Sequence, residues 1–506
     1  MNRQRASQAR SRRDGLDVQR DRRGFLTLLG GTGAALFAAA CGGNANNAEP
    51  GGAATTAATR AAATTSLSAP AASTSTPARA AVATTPAAAV TGNQTVTYLT
   101  GDDAPEEKAW HSKYRDDFHA AFPQYRAEGT AYSSTDYQVK LQTALATNSP
   151  LDFLFRNSNS VNVLSLWGEG RLAPVNDVME DVYKLAGGKD KFDQAAIDRY
   201  TMPTGEMWGV PFVSAPYVWW YRTDLLQEAG LTPPAGHWDW PFLLKAVKAV
   251  HKPPKPYGIA LPLARSVGTQ NFLVFFILNN GGHFLSPDLK NVVFDSPEVR
   301  EAVDLYKELA EYTPPGATTW GTSEQYDAFV LGNTAMSQSQ GRVLPNVVKQ
   351  NPALITKIAN TFPPYQKQPV TWGSASAHGI FKGKNLQATK ELAKLSFQKD
   401  RYISYMLTTP GFYSATIPAY GLDPSYTSNS VLKTYDPKIL ATIADAVKNP
   451  YDLGKEGAGW LVNPKAGTLQ SSLIMADVVQ RVTVGKESTQ SAVTWGAGQI
   501  RDAIKA

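Results

Sequence analysis

The 506-residue chain has one cysteine, Cys41, so no disulfide framework can form within it. Histidine is scarce too. Its six copies, at 111, 119, 237, 251, 283 and 378, are scattered, and none is paired at metal-ligand spacing. G-x-S-x-G, H-E-x-x-H and C-x-x-C are all missing. Ser396-Phe397-Gln398-Lys399 fits S-x-x-K, but neither S-D-N nor K-T-G accompanies it. That tetrapeptide falls in a lysine-rich helical stretch, where a solvated face is the expected reading. A glycosidase needs two carboxylates flanking a cleft, and among 43 acidic residues nothing singles out such a pair. Gly31-Thr32-Gly33 has no strand before it and is no dinucleotide fingerprint. No catalytic residue, cofactor or metal is therefore expected.

An excess of positive charge is also missing once the N-terminus is set aside. The chain carries +6 overall. Residues 1–40 hold eight arginines against three aspartates, net +5, leaving about +1 for the rest. So weak a field disfavours nucleic acid and anionic lipid as partners. Long apolar runs are missing as well. The longest, Phe25–Ala40, has sixteen residues including three glycines, too short and mild for a membrane span.

What the N-terminus does contain reads as an address. Basic residues precede the apolar run, and small residues lead up to Cys41. Arg22-Arg23-Gly24-Phe25-Leu26 resembles the twin-arginine export motif. Ala39-Ala40-Cys41-Gly42 resembles a lipobox, which implies lipid attachment at Cys41. Ala38 departs from the usual leucine, so cleavage after Ala40 is the rival reading. Residues 1–41 are expected to be the signal. Residues 42–93, nearly all Ala, Thr, Ser, Gly, Pro and Asn, cannot bury a core and are expected to form a disordered tether. A coil of that length spans roughly 40 Å.

From Gln94 the pattern alternates. Thr95–Thr100 reads as a strand. Trp110, Tyr114, Phe118 and Phe122 mark one helix face, ended by Pro123. Val139, Leu141 and Leu145 mark another helix, and 151–155 a buried strand. A further helix over 162–175 stops near Gly170. Ser296-Pro297-Glu298 opens a helix. Residues 388–407 read as one amphipathic helix. Alternation of this kind indicates α/β layers, and the length calls for more than one core.

Five collinear segments carry a resemblance: DYQVKLQTALATNSPLDFLF (136–155), WGEGRLAPVND (167–177), GEMWGVPFVSAPYVWWYRTDLLQEAGLTPPAGHWDW (205–240), NGGHFLSPDLKNVVFDSPEVREAVDLYKEL (280–309) and FVLGNTAMSQSQG (329–341). Together they resemble the extracellular solute-binding proteins of bacterial ABC importers, family 1, over most of residues 94–506. Arg222-Thr223 departs from the family's Asn-Lys. His237 stands where a helix-capping threonine is usual, so Asp239 is expected to cap instead. The resemblance implies a type II periplasmic-binding-protein fold of two α/β lobes joined by crossing strands. Lobe one would be 94–213 plus 374–434, and lobe two 214–373 plus 435–506. It implies a monomer that closes over a carbohydrate and delivers it to permease subunits. A polyol phosphate, a polyamine or a secreted carbohydrate-active enzyme are the alternatives.

Sugars need aromatic plates and planar polar side chains. All eleven tryptophans lie beyond residue 100. Loops at strand ends facing the cleft supply the candidates. In lobe one these are Asp102 and Asp103 after the first strand, and Arg156, Asn157 and Ser158 after the 151–155 strand. Gln270, Gln340 and Arg342 are expected on lobe-two loops, and Trp372 at the second crossing. In the strand 217–222, Trp219 and Tyr221 should share an inward face, leaving Tyr217 to reach the cleft.

Overall fold

The computed structural model describes residues 94–505, apart from 158–159, 374, 449, 452–454, 457–460 and 463–464. The leader, the tether, Cys41 and Ser158 lie outside the described residues.

Three parallel strands begin the first sheet. β1 (Gln94–Thr100) lies between β2 (Tyr125–Ala131) and β3 (Phe153–Asn157), with Gln94 opposite Tyr125 and Tyr98 opposite Phe153. Parallel neighbours need crossover helices, here α1 (Pro105–Ala121) and α2 (Ser134–Ala146). α1 buries Trp110, Tyr114 and Phe118 as their spacing predicts. In α2, Leu141 is buried but Val139 is 64% exposed, so Val139 is not part of the core face. α3 (Ser160–Gly168) follows β3.

β4 (Val210–Ser214) belongs to the same sheet, and β5 (Val218–Arg222) to another. In that second sheet β5 runs antiparallel to both β6 (Met336–Ser339) and β7 (Ile358–Thr361). The alternation along β5 follows the expectation. Trp219 packs with Phe272 and Phe276, and Tyr221 against Trp238. Val218 and Trp220 join the other core, the one continuous with the first sheet. The Trp220 indole N–H donates to the Ser339 carbonyl at 3.0 Å.

The helices of this second sheet's lobe include α4 (Trp240–Val250), α5 (Val267–Asn279), α6 (Pro297–Ala310) and α7 (Thr322–Val330). Asp239 does cap α4, accepting the Phe242 N–H at 2.7 Å. Ser296 caps α6, accepting the Val299 N–H at 3.3 Å. α5 is buried all round, which marks it as the lobe's central helix. Gln270 lies inside α5, not on a loop as expected. The apolar run that follows it makes a buried helix the favoured packing.

β8 (Thr371–Trp372) pairs in parallel with β11 (Pro450–Tyr451) beside the crossing. β9 (Ala375–Ile380) then returns to the first sheet between β3 and β4, antiparallel to both, and β10 (Ser414–Ala415) completes the order β10-β4-β9-β3-β1-β2. The two crossings run side by side. A Cβ on Gly373, at φ +94°, would stand 3.1 Å from the Ala215 carbonyl and 3.3 Å from the Tyr217 ring.

The single helix expected over 388–407 is two, α8 (Leu386–Leu395) and α9 (Lys399–Met406). The Ser396 hydroxyl donates to the Ala393 carbonyl at 2.7 Å and meets His378 at 3.0 Å. Side-chain bonding of this kind competes with helix continuation. Ser396 is fully buried, whereas Lys399 is half exposed and pairs with Asp423 at 2.5 Å. The S-x-x-K tetrapeptide is thus a turn with a buried serine, not a solvated face. Beyond the crossings, α10 (Ala466–Ser472) packs against α3 from the opposite lobe. Among the described residues, no helix is long and apolar enough to cross a membrane.

Candidate functional site

The C-terminal ends of β1 and β3 bring Asp102 and Arg156 together. Asp102 is fully buried. Its Oδ1 accepts from Arg156 Nε at 2.9 Å and from Nη2 of the same guanidinium. Its Oδ2 meets His111 Nε2 and the Tyr405 hydroxyl, each at 3.0 Å. Burial pushes this carboxyl up. Arg156 and His111 outweigh that and hold it well below the usual carboxylate range. Arg156 also lies 5.2 Å over the Tyr413 ring and has φ +45°, a left-handed conformation rare for a side-chain-bearing residue. Both residues were expected as ligand contacts. In this structure they satisfy each other at the cleft floor, because a buried charge must be paired.

His378, on β9, supports the same strand end. Its Nδ1 accepts the Arg156 amide N–H at 3.0 Å, which puts the ring proton on Nε2, toward Ser396 Oγ at 3.0 Å. Burial lowers its pKa from 6.5 to about 3. Asn157, next to Arg156 in sequence, is buried, while Asp103 is only half-buried.

The opposite wall comes from the second lobe. Gln340 Nε2 donates to the Ala215 carbonyl at 2.7 Å, tying the loop after β6 to the first crossing. Arg342 reaches across to Glu107 of α1 at 3.5 Å and lies 4.6 Å over the Phe412 ring. Glu107 is fully buried, and burial together with Asp102 pushes its carboxyl up. Gly341 permits this approach, since a Cβ there would sit 2.4 Å from the Gly411 carbonyl.

Tyr217 lines a narrow hollow of about 10 Å³ with Asn271, Phe272, Gln325 and Gln338. Asn271 accepts the Gln470 side-chain N–H at 3.2 Å. Gln325 is buried, its amide donating to the Gln338 carbonyl at 2.9 Å. Gln270 is fully buried and donates to the Gln470 carbonyl at 2.8 Å, so it sits behind this wall. Trp372 is placed by its backbone alone, opposite Tyr451. A larger, open hollow of about 390 Å³ lies by Tyr221, Leu226 and Pro233, where β5 runs into the following helix. Volume alone does not make it the site. Among the described residues no group of acids, histidines or cysteines could hold a metal.

Sequence reasoning missed Glu107, His378, Asn271, Gln325, Gln338 and Gln470. One signal was available: Gln270-Asn271 are two adjacent amides at the start of the otherwise apolar run Phe272–Leu278.

Two α/β lobes, joined by side-by-side crossings with a polar wall on each side, define a two-lobe binding protein. Residues 101–395 match the bacterial extracellular solute-binding protein family, and the chain belongs to it. It is 26% identical over 368 residues to the Escherichia coli (strain K12) protein named "Putative ABC transporter periplasmic-binding protein YcjN", covering 68% of this chain and 83% of that one. Two solved structures share the fold. One is a solute-binding protein of Agrobacterium radiobacter K84 in complex with ribitol, with TM-score 0.66 and 20% identity over 81% of this chain and 98% of that one. The other is from Thermotoga lettingae TMO, bound with α-D-tagatose, with TM-score 0.63 and 19% identity over 81% and 99%.

His378 makes stability depend on pH. The unfolded chain takes up a proton near 6.5, and the folded chain resists it down to about 3. Within that window stability falls as pH falls, by about 1.4 kcal/mol per unit. His378→Gln should flatten the loss seen in urea unfolding between about pH 6.5 and 4.5, above the range where Asp102 titrates. An unchanged slope contradicts the neutral, buried imidazole.

Proposed function

We propose that this protein captures a neutral, polyhydroxylated solute, a sugar or its alditol, between its lobes and delivers it to the transmembrane subunits of an ABC importer. The observation carrying this reading is the charge state of the walls. The hollow beside Tyr217 is lined by amides, a phenol, a hydroxyl, a glycine and a phenylalanine, with no charged side chain. The nearby charges, Asp102 with Arg156 and Glu107 with Arg342, face each other. A phosphate would need a free cation, and a polyamine a free carboxylate. Carboxamides suit hydroxyls, which both donate and accept. The ribitol and tagatose held by proteins of the same fold support the reading. Lobe closure about the two crossings would commit the solute, with the protein acting as a monomer and without catalysis.

A thermal-shift screen tests this. Ribitol, D-tagatose or another neutral sugar should raise the melting temperature, with about 2.7 kcal/mol of stabilisation at roughly 100 times Kd. Trp372→Ala should abolish the shift. A shift with sn-glycerol 3-phosphate or spermidine and none with neutral sugars would overturn the reading. Release of product from an oligosaccharide would favour an enzyme.

The export signal, the tether and the anchor at Cys41 belong to the same proposal, since a bound receptor must stay near its permease. Cys41→Ala should move the protein from the membrane fraction to the soluble one. Membrane retention equal to the unmodified protein would exclude the anchor.

A further inference from the structure

We infer that the Tyr137 hydroxyl is a lobe-one contact for the captured solute, hydrogen-bonding one of its hydroxyls at the sheet edge that carries Asp102 and Arg156. This rests on the proposed binding of a neutral hydroxylated solute and adds a residue that selects it.

Backbone pairing places Tyr137. β1 and β2 end in register, with Thr100 opposite Ala131, and the Tyr132 N–H donates to the Thr100 carbonyl at 3.0 Å. α2 therefore starts beside the loop that carries Asp102, on the edge where the parallel strands end and where open α/β sheets bind ligands. Ser133 caps α2, accepting the Asp136 N–H at 3.2 Å, and Tyr137 follows in the first turn. Its ring is buried in the core continuous with the first sheet.

The hydroxyl is what the fold leaves over. Other buried phenols have partners within the chain: those of Tyr200, Tyr306 and Tyr402 donate to backbone carbonyls, and that of Tyr405 donates to Asp102. The Tyr137 hydroxyl is buried and has no hydrogen-bond partner. A buried polar atom calls for one, so the partner comes from outside the chain. Burial raises the phenol's pKa, and Arg156 and Asp102 act on it in opposite senses. The group therefore keeps its proton and lies in the field of a pair whose charges offset. It can donate to a hydroxyl and accept from one, and it offers no counter-charge to a phosphate or an ammonium group.

Calorimetric titration of the full protein and of Tyr137→Phe with ribitol, D-mannitol, D-tagatose, D-glucose and maltose tests this, together with urea unfolding of both without solute. The compound that binds should bind Tyr137→Phe about tenfold more weakly, the loss of one well-placed hydrogen bond. Unliganded Tyr137→Phe should unfold at no lower urea concentration than the unmodified protein, because the substitution removes no bond within the chain. Tyr306→Phe, which does remove one, should lose stability and keep its affinity. Unchanged affinity in Tyr137→Phe overturns the contact while leaving the neutral-solute reading intact. A drop in its unliganded stability as large as that of Tyr306→Phe shows an internal partner and overturns the contact too. Binding of no compound in the set overturns both the contact and the reading beneath it.

Discussion

A buried carboxylate sets the geometry of this cleft. Asp102 has no solvent contact, so each of its lone-pair directions must be met from within the protein. The donors come from β3, α1 and α9, through Arg156, His111 and Tyr405. One side chain therefore fixes three elements relative to the end of β1. Removing one partner of such a buried pair typically costs about 3–5 kcal/mol, since the other charge is left uncompensated. The same pair explains why Arg156 can keep a left-handed backbone: its guanidinium and its amide are both held, the amide by His378.

The hinge obeys a second constraint, the two-residue period of β5. Trp219 goes to the helical core of one lobe, while Trp220 goes to the core shared with the other. Both indoles are fully buried, so a one-residue slip of β5 would send each into the other's core. A strand gripped from both sides is a firm base for the two crossings. Gly373 sits in one of these, where a side chain would meet Tyr217.

Much of the scaffold was legible because it follows periodicity and caps. The α1 aromatics, the Asp239 and Ser296 caps and the faces of β5 are local signals, and local signals survive folding. The site was less legible because its logic is long-range. Asp102 and Arg156 were identifiable as polar residues at strand ends, but their pairing spans 54 positions of sequence. Gln270 looked like a loop residue because amides rarely sit in apolar helices; its partner, Gln470, lies 200 positions away. The split of the 388–407 helix depends on the contact between Ser396 and His378, across strands that the periodicity of that segment does not report.

Amide hydrogen exchange with and without a saturating neutral monosaccharide or alditol tests the account most directly. Closure over a neutral solute beside Tyr217 predicts slower exchange in two segments, 266–272 and 322–325. The end of β1 should be unchanged, because Asp102 already fixes it. Protection confined to the hollow around Tyr221 and Pro233, or no protection at 266–272 while ligand is bound, would contradict the account.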